Sequence, residues 1–86
     1  MRTIEFKSTQ ENFRKEYLGL KANTLRVLDK EDLIRSELLF NFEMGNLNLL
    51  SIKITNTKTG EYFTRVVTDV TKYEDWYIIS WRHSLI

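Results

Sequence analysis

The chain has no cysteine and no proline, three glycines and one histidine among its 86 residues. Without cysteine there is neither a disulfide framework nor a thiolate zinc site, which fits a reducing compartment. With His83 as the sole histidine, a histidine-built metal cluster or a Ser-His-Asp triad would have to form around one ring, and both are discounted. Ser80, three positions earlier on an expected strand, would point to the opposite face. No metal or other cofactor is expected. No apolar run approaches the roughly 20 residues that span a bilayer, and Met1-Arg2-Thr3-Ile4-Glu5 lacks the apolar core of a signal peptide. The expected address is the cytoplasm, with no membrane partner. No repeat, linker or low-complexity stretch divides the sequence, so residues 1–86 read as one domain, large enough for a single modest core.

Charge is nearly balanced at +1, which argues against coating nucleic acid by electrostatics alone. Its distribution is uneven. Residues 1–26 carry six cations against three carboxylates, net +3, while residues 27–50 carry two against five, net −3. The remainder is close to neutral. An anion site, if there is one, belongs in the first third.

Periodicity then places the elements. Ile4 and Phe6 alternate with Thr3, Glu5 and Lys7, the period-two pattern of a half-buried strand over Arg2 to Lys7. Ser8-Thr9-Gln10-Glu11 reads as a capping box that opens a helix. Phe13, Tyr17 and Leu20 form its apolar stripe, Arg14, Lys15 and Glu16 are assigned to water, and Gly19 suits the left-handed end of the helix. Asn23 to Leu28 reads as a strand with Leu25 and Val27 on one face and Thr24, Arg26 and Leu28 on the other. Asp29 is the expected N-cap of a second helix, with Glu31 and Asp32 in its first turn. The run from Leu38 to Phe42 fits either the end of that helix or a short strand. Gly45-Asn46 is a turn, Leu49 to Thr55 a strand burying Leu50, Ile52 and Ile54, and Asn56 to Gly60 a hairpin connection. Glu61 to Thr71 is too long and too apolar for a flat strand, so a bulge is expected between Arg65 and Thr68. After a polar turn at Lys72 to Asp75, Trp76 to Trp81 reads as a closing strand covered on both faces.

The one candidate site is Gly19-Leu20-Lys21-Ala22-Asn23-Thr24-Leu25-Arg26. Charge-assisted donors such as Lys21 and Arg26, with Thr24 between them, hold a phosphate or polarise a carbonyl oxygen when they share a sheltered space. Lys21 and Thr24 are an odd number of residues apart, so they share a face only if the chain at Lys21 remains in the turn. Gly19-x-Lys21-x-x-Thr24-x-Arg26 resembles the signature of the ASCH domains, a branch of the PUA-like superfamily, in which glutamate is the commoner residue at the position of Thr24. The threonine form is similar to small bacterial amidohydrolases that deacetylate acetylated cytidine with a lysine, a threonine and a glutamate. The run from Ile52 to Val70, with Tyr73 and Ile78-Ile79-Ser80-Trp81, resembles the C-terminal half of small ASCH-like proteins of phages and prophages.

The resemblance implies a fold: an α+β, PUA-like half-open β-barrel of about five strands with two short helices and a cleft beside the Gly19 turn. Three functions are compatible with it. The first is a module binding RNA, a nucleotide or a modified nucleoside, with Gly19, Lys21, Thr24, Arg26 and Arg65 as the ligand-binding residues. The second is an amidohydrolase acting on an acetylated cytidine, with Thr24 as nucleophile, Lys21 activating it and Glu74, just before the last strand, as the acid. The third is a phage-encoded module that binds a host protein through an apolar or acidic face around residues 31 to 43. Whether the chain is an enzyme stays open at this point. Plainer readings stand beside these: Arg65 paired with Asp69, Glu74 and Asp75 in a solvated turn, and Tyr62, Tyr73, Trp76 and Trp81 filling a small core rather than stacking on bases.

Overall fold

A computed structural model describes residues 1–83. Its elements, in chain order, are β1 (Arg2–Ser8), α1 (Gln10–Tyr17), β2 (Asn23–Val27), α2 (Leu33–Glu43), β3 (Leu50–Asn56), β4 (Tyr62–Tyr73) and β5 (Trp76–Trp81). The five strands form one sheet in the order β1-β3-β4-β5-β2. β1 pairs with β3 in parallel, and the other three ladders are antiparallel. The sheet curls so that its two edges, β1 and β2, approach each other. This is a small α+β half-open barrel with two helices, as the sequence leads one to expect.

The core follows from strand alternation. Leu50, Ile52 and Ile54 lie wholly inside along β3, flanked by Ile4 and Phe6 of β1 and by Phe63 and Val67 of β4. Phe13 of α1 and Leu38 and Leu39 of α2 cover this surface. The bulge falls between Val67 and Asp69, at the end of the stretch expected to carry it. It turns the strand's parity. Val67 faces Trp81 inside while Asp69 faces Ser80 outside, so Arg65 and Asp69 end on opposite faces and the expected pair between them does not form. Asp69 accepts from the Thr71 hydroxyl at 3.0 Å instead.

Several local expectations are corrected by competition for side-chain oxygens. The N-cap of α1 is Thr9, whose hydroxyl accepts from Asn12 N at 3.3 Å. Ser8 continues the inward alternation of β1 and is buried, so its oxygen serves the interior. The N-cap of α2 is Asp32, not Asp29, because Asp29 Oδ1 closes a turn on Glu31 N at 3.0 Å and the helix starts after it. The ambiguous run from Leu38 to Phe42 is helical. β4 extends through Tyr73, which leaves a two-residue turn at Glu74-Asp75 with Glu74 at φ 54°. β5 is internal to the sheet, yet only one of its faces is covered, since Trp76 is exposed.

Ile52 sits at the centre of the packed face, with no exposed surface. Ile52→Ala is expected to cost about 2–5 kcal/mol by lost transfer energy and an unfilled cavity. Urea unfolding followed by circular dichroism checks this, and a loss well under 1 kcal/mol contradicts the packing described.

Candidate functional site

The site begins where α1 ends. Gly19 adopts φ 81° and closes a Schellman cap, with Gly19 N on Glu16 O at 3.3 Å and Leu20 N on Lys15 O at 3.0 Å. Lys21 N also reaches Lys15 O, at 3.2 Å, so the chain stays coiled under the helix until β2 begins at Asn23. Lys21 is thus held in the turn, as a site shared with Thr24 requires. A Cβ on Gly19 would stand 2.8–2.9 Å from the ring of His83, two residues past β5, so glycine suits this turn both in conformation and in the room it leaves for that ring.

Glu16 was assigned to water by helical spacing and is instead 1 % exposed. It belongs to the face of α1 that carries Phe13, three residues before it. Against it lie Ser8 of β1 and Thr24 and Arg26 of β2. Arg26 donates from Nε to Thr24 Oγ1 at 2.9 Å, from Nη2 to Ser8 Oγ at 2.8 Å and from Nη1 to the Lys7 carbonyl at 2.8 Å. A hydroxyl that accepts from a guanidinium keeps its own proton to donate. Both hydroxyls lie beside the Glu16 carboxyl and act to lower its pKa. Two hydroxyls that accept from the half-buried Arg26 thus stand beside the buried Glu16 carboxyl.

Burial pushes the Glu16 carboxyl above its ordinary value of 4.5; the Ser8 hydrogen bond and the charges of Lys21 and Arg26 oppose the shift without cancelling it. Burial likewise lowers Arg26 from its ordinary value, opposed by Glu16 and assisted by Arg35. Among the described residues, the buried side-chain atoms without a hydrogen-bond partner are Glu16 Oε1, Arg65 Nε, Trp81 Nε1 and His83 Nδ1. Such atoms are scarce in folded proteins.

Arg26 also forms the wall of an open groove of about 450 Å³ lined by Glu5, Phe6, Lys7, Arg26, Arg35 and Thr55. The Arg26 and Arg35 guanidinium carbons lie 4.9 and 4.7 Å from the centre of the Phe6 ring. Arg35 is braced by Asp32, through Nε at 2.6 Å, and donates from Nη1 to the Glu5 carbonyl at 3.1 Å. Two guanidiniums thus take up the Glu5 and Lys7 carbonyls of an edge strand.

Of the predicted site residues, Thr24 and Arg26 share a hydrogen bond, Lys21 acts with them on the Glu16 carboxyl, and Gly19 meets His83 instead. Arg65 lies on the inward face of β4, with its guanidinium carbon 4.7 Å from the Phe63 ring centre and 5.9 Å from that of Tyr17. Glu74 does not join them. It is exposed in the β4–β5 turn, beyond the Val27–Trp76 pair, whereas Thr24 pairs with Ile79 three positions further along β5. The carboxylate beside Thr24 is Glu16. Ser8, Glu16, Lys7 and Arg35 were not singled out as site residues. Inward alternation through Ile4, Phe6 and Ser8 and the three-residue spacing of Glu16 from Phe13 are the signals that point to two of them. Among the described residues no three metal-ligating side chains gather, and no helix is long and apolar enough to cross a membrane. Compared with known proteins, the chain matches no family model and no curated protein sequence.

Arg26→Met removes one of the two cations acting on Glu16, the one held in the hydroxyl network, and is expected to cost about 3–5 kcal/mol, as broken buried pairs do. Adding Glu16→Gln should recover part of that loss. Equilibrium denaturation of the two variants decides, and no recovery in the double variant would contradict the coupling. The raised Glu16 value has a definite sign: the native state holds this proton more tightly than the unfolded chain. Its stabilising contribution is complete below 4.5 and is lost as pH rises through the native value. Urea midpoints between about pH 4 and 8 should therefore show wild type losing ground to Glu16→Gln as pH increases, and parallel profiles would refute this.

Proposed function

We propose that the chain is a small binding module of the ASCH type that takes a nucleotide or a short RNA segment by its phosphates. The observation that carries the reading is the groove along β1, in which Arg26 and Arg35 stand over the Phe6 ring and Lys7 contributes to the lining. Both guanidiniums are fixed before any ligand arrives, by the carbonyls and hydroxyls they already engage. Arg26 has spent three of its five N–H groups on the protein, which leaves two for a ligand oxygen. Prepositioned donors bind anions at a lower ordering cost than free side chains. The Phe6 ring is occupied by guanidiniums, so phosphate rather than base stacking is the expected contact. Thr24 serves this site by orienting Arg26.

A second reading has one observation of its own. Lys21 and Thr24 have a buried carboxyl beside them, Glu16, a candidate for the acid role that the amidohydrolase reading assigned to Glu74 from its place before the last strand. A carboxyl whose pKa is raised by burial holds a proton more readily than an exposed one, as a general acid must. Thr24, however, is only 3 % exposed and its oxygen already accepts from Arg26, so the binding reading ranks first.

Fluorescence anisotropy with labelled single-stranded RNA and with a nucleoside triphosphate tests the proposal. Affinity should fall as salt rises, and Lys7→Ala, an exposed change, should flatten the log–log slope by about 0.7 per lost phosphate contact. Absence of binding at low salt, or binding indifferent to Lys7→Ala and Arg35→Ala together, would overturn it. Turnover of acetylated cytidine that disappears in Thr24→Ala would instead favour the second reading.

A further inference from the structure

A second basic hollow, of about 620 Å³, lies on α1. It is lined by Glu11, Arg14, Lys15 and Leu18 of the helix, by Leu20 of the turn after it and by Lys58 of the β3–β4 connection. Glu11 and Lys15 stand 3.6 Å apart and offset each other. Arg14 and Lys58 are exposed and, among the described residues, enter no ion pair. Leu18 and Leu20 are 54 % and 77 % exposed, so the surface between these cations is apolar. Tyr17, half exposed, lines a smaller hollow of about 380 Å³ on which Arg14 and Leu18 also border. Uncommitted cations beside apolar surface and an aromatic ring match a chain of nucleotides, whose phosphates need neutralising and whose bases need a face to rest on. A merely solvated helix face accounts for the cations but for neither leucine.

This hollow adjoins the groove along β1 by two routes. Lys7 and Thr55 line the groove, and Gln10 and Lys58, each three residues further along the chain, line the hollow. Lys7 and Thr55 are partners in the parallel β1–β3 ladder, which closes where Thr57 N donates to Ser8 O at 3.0 Å. The end of that ladder is therefore the only step between the two. We propose that the ligand is a single strand of RNA that runs from the groove, past the end of the β1–β3 ladder, onto α1, where Arg14 and Lys58 take further phosphates. This rests on the phosphate reading of the groove and chooses within it, since a mononucleotide occupies the groove alone. A strand edge and a helix face are followed by a flexible single strand, whereas a short duplex is a stiff rod. The length required is on the order of four nucleotides or more, the low end for small single-strand-binding folds.

Fluorescence anisotropy with a labelled nucleoside triphosphate and a labelled uridine octanucleotide tests this. Arg14→Ala combined with Lys58→Ala should weaken the octanucleotide about tenfold or more and flatten its log–log salt slope by about 0.7 per lost phosphate contact. The same change should leave the triphosphate unaffected. Lys72→Ala, on the β4 segment that meets Glu43 of α2, removes a cation elsewhere and should alter neither probe. A duplex of the same length should bind more weakly than the single strand. Octanucleotide binding indifferent to the Arg14 and Lys58 changes, with the triphosphate still bound, overturns this inference and spares the phosphate reading. Equal losses for both probes, or a Lys72→Ala loss as large as that of the pair, also overturn it. If neither probe binds, both fall. Should the double variant not fold by circular dichroism, Lys58→Glu alone, at an exposed hairpin position, decides by the same comparison.

Discussion

One guanidinium holds the barrel shut. β1 and β2 are the two edges of a single sheet, and the link between them is made by the Arg26 side chain to the Lys7 carbonyl and the Ser8 hydroxyl. Hydrogen bonds to charged groups contribute about 1.5–3 kcal/mol each, but a side chain must remain charged to give that. Glu16 favours the charged form of Arg26, and burial opposes it. Closure of the fold and the electrostatics of the site are therefore the same interaction, viewed from β1 and from α1.

That coupling explains a polar interior in a chain with little core to spare. An apolar residue at position 26 would remove the desolvation cost and pack against Phe6. It would also uncover the edge carbonyls of β1, an invitation to pair with another strand. Arg26 and Arg35 engage two of those carbonyls, Lys7 and Glu5, from the groove side. The cations that make the groove basic thus also shield a sheet edge, so their presence has a structural reason of its own.

Most of the fold was legible in the sequence because most of it rests on local alternation. The strands at Ile4, Ile52 and Ile79, the bulge before Asp69 and the glycine that ends α1 all follow from period, length and composition. The site was legible in half. Gly19, Lys21, Thr24 and Arg26 lie within eight residues and announce themselves. Glu16, Ser8 and Arg35 reach the same region through contacts between elements distant in sequence, and nothing local distinguishes a solvated glutamate on a helix from one turned inward. Caps failed for a related reason. Ser8, Thr9, Asp29 and Asp32 all offer oxygens near helix starts, and which one caps depends on what else claims the others.

Alternation also makes the two faces of β2 separate pieces of information. Placing Thr24 and Arg26 inward fixes positions 25 and 27 as outward, but it does not fix what stands there. Lysine, threonine or glutamate at those positions would leave the Arg26 network untouched and would blunt an exposed strand in the way soluble sheets ordinarily do. Leucine and valine do neither, and their cross-strand partners Ile78 and Trp76 repeat the choice. A requirement of the interior accounts for none of these four residues. What they share is the outside surface, where β2 and β5 present an apolar face that the interior does not require.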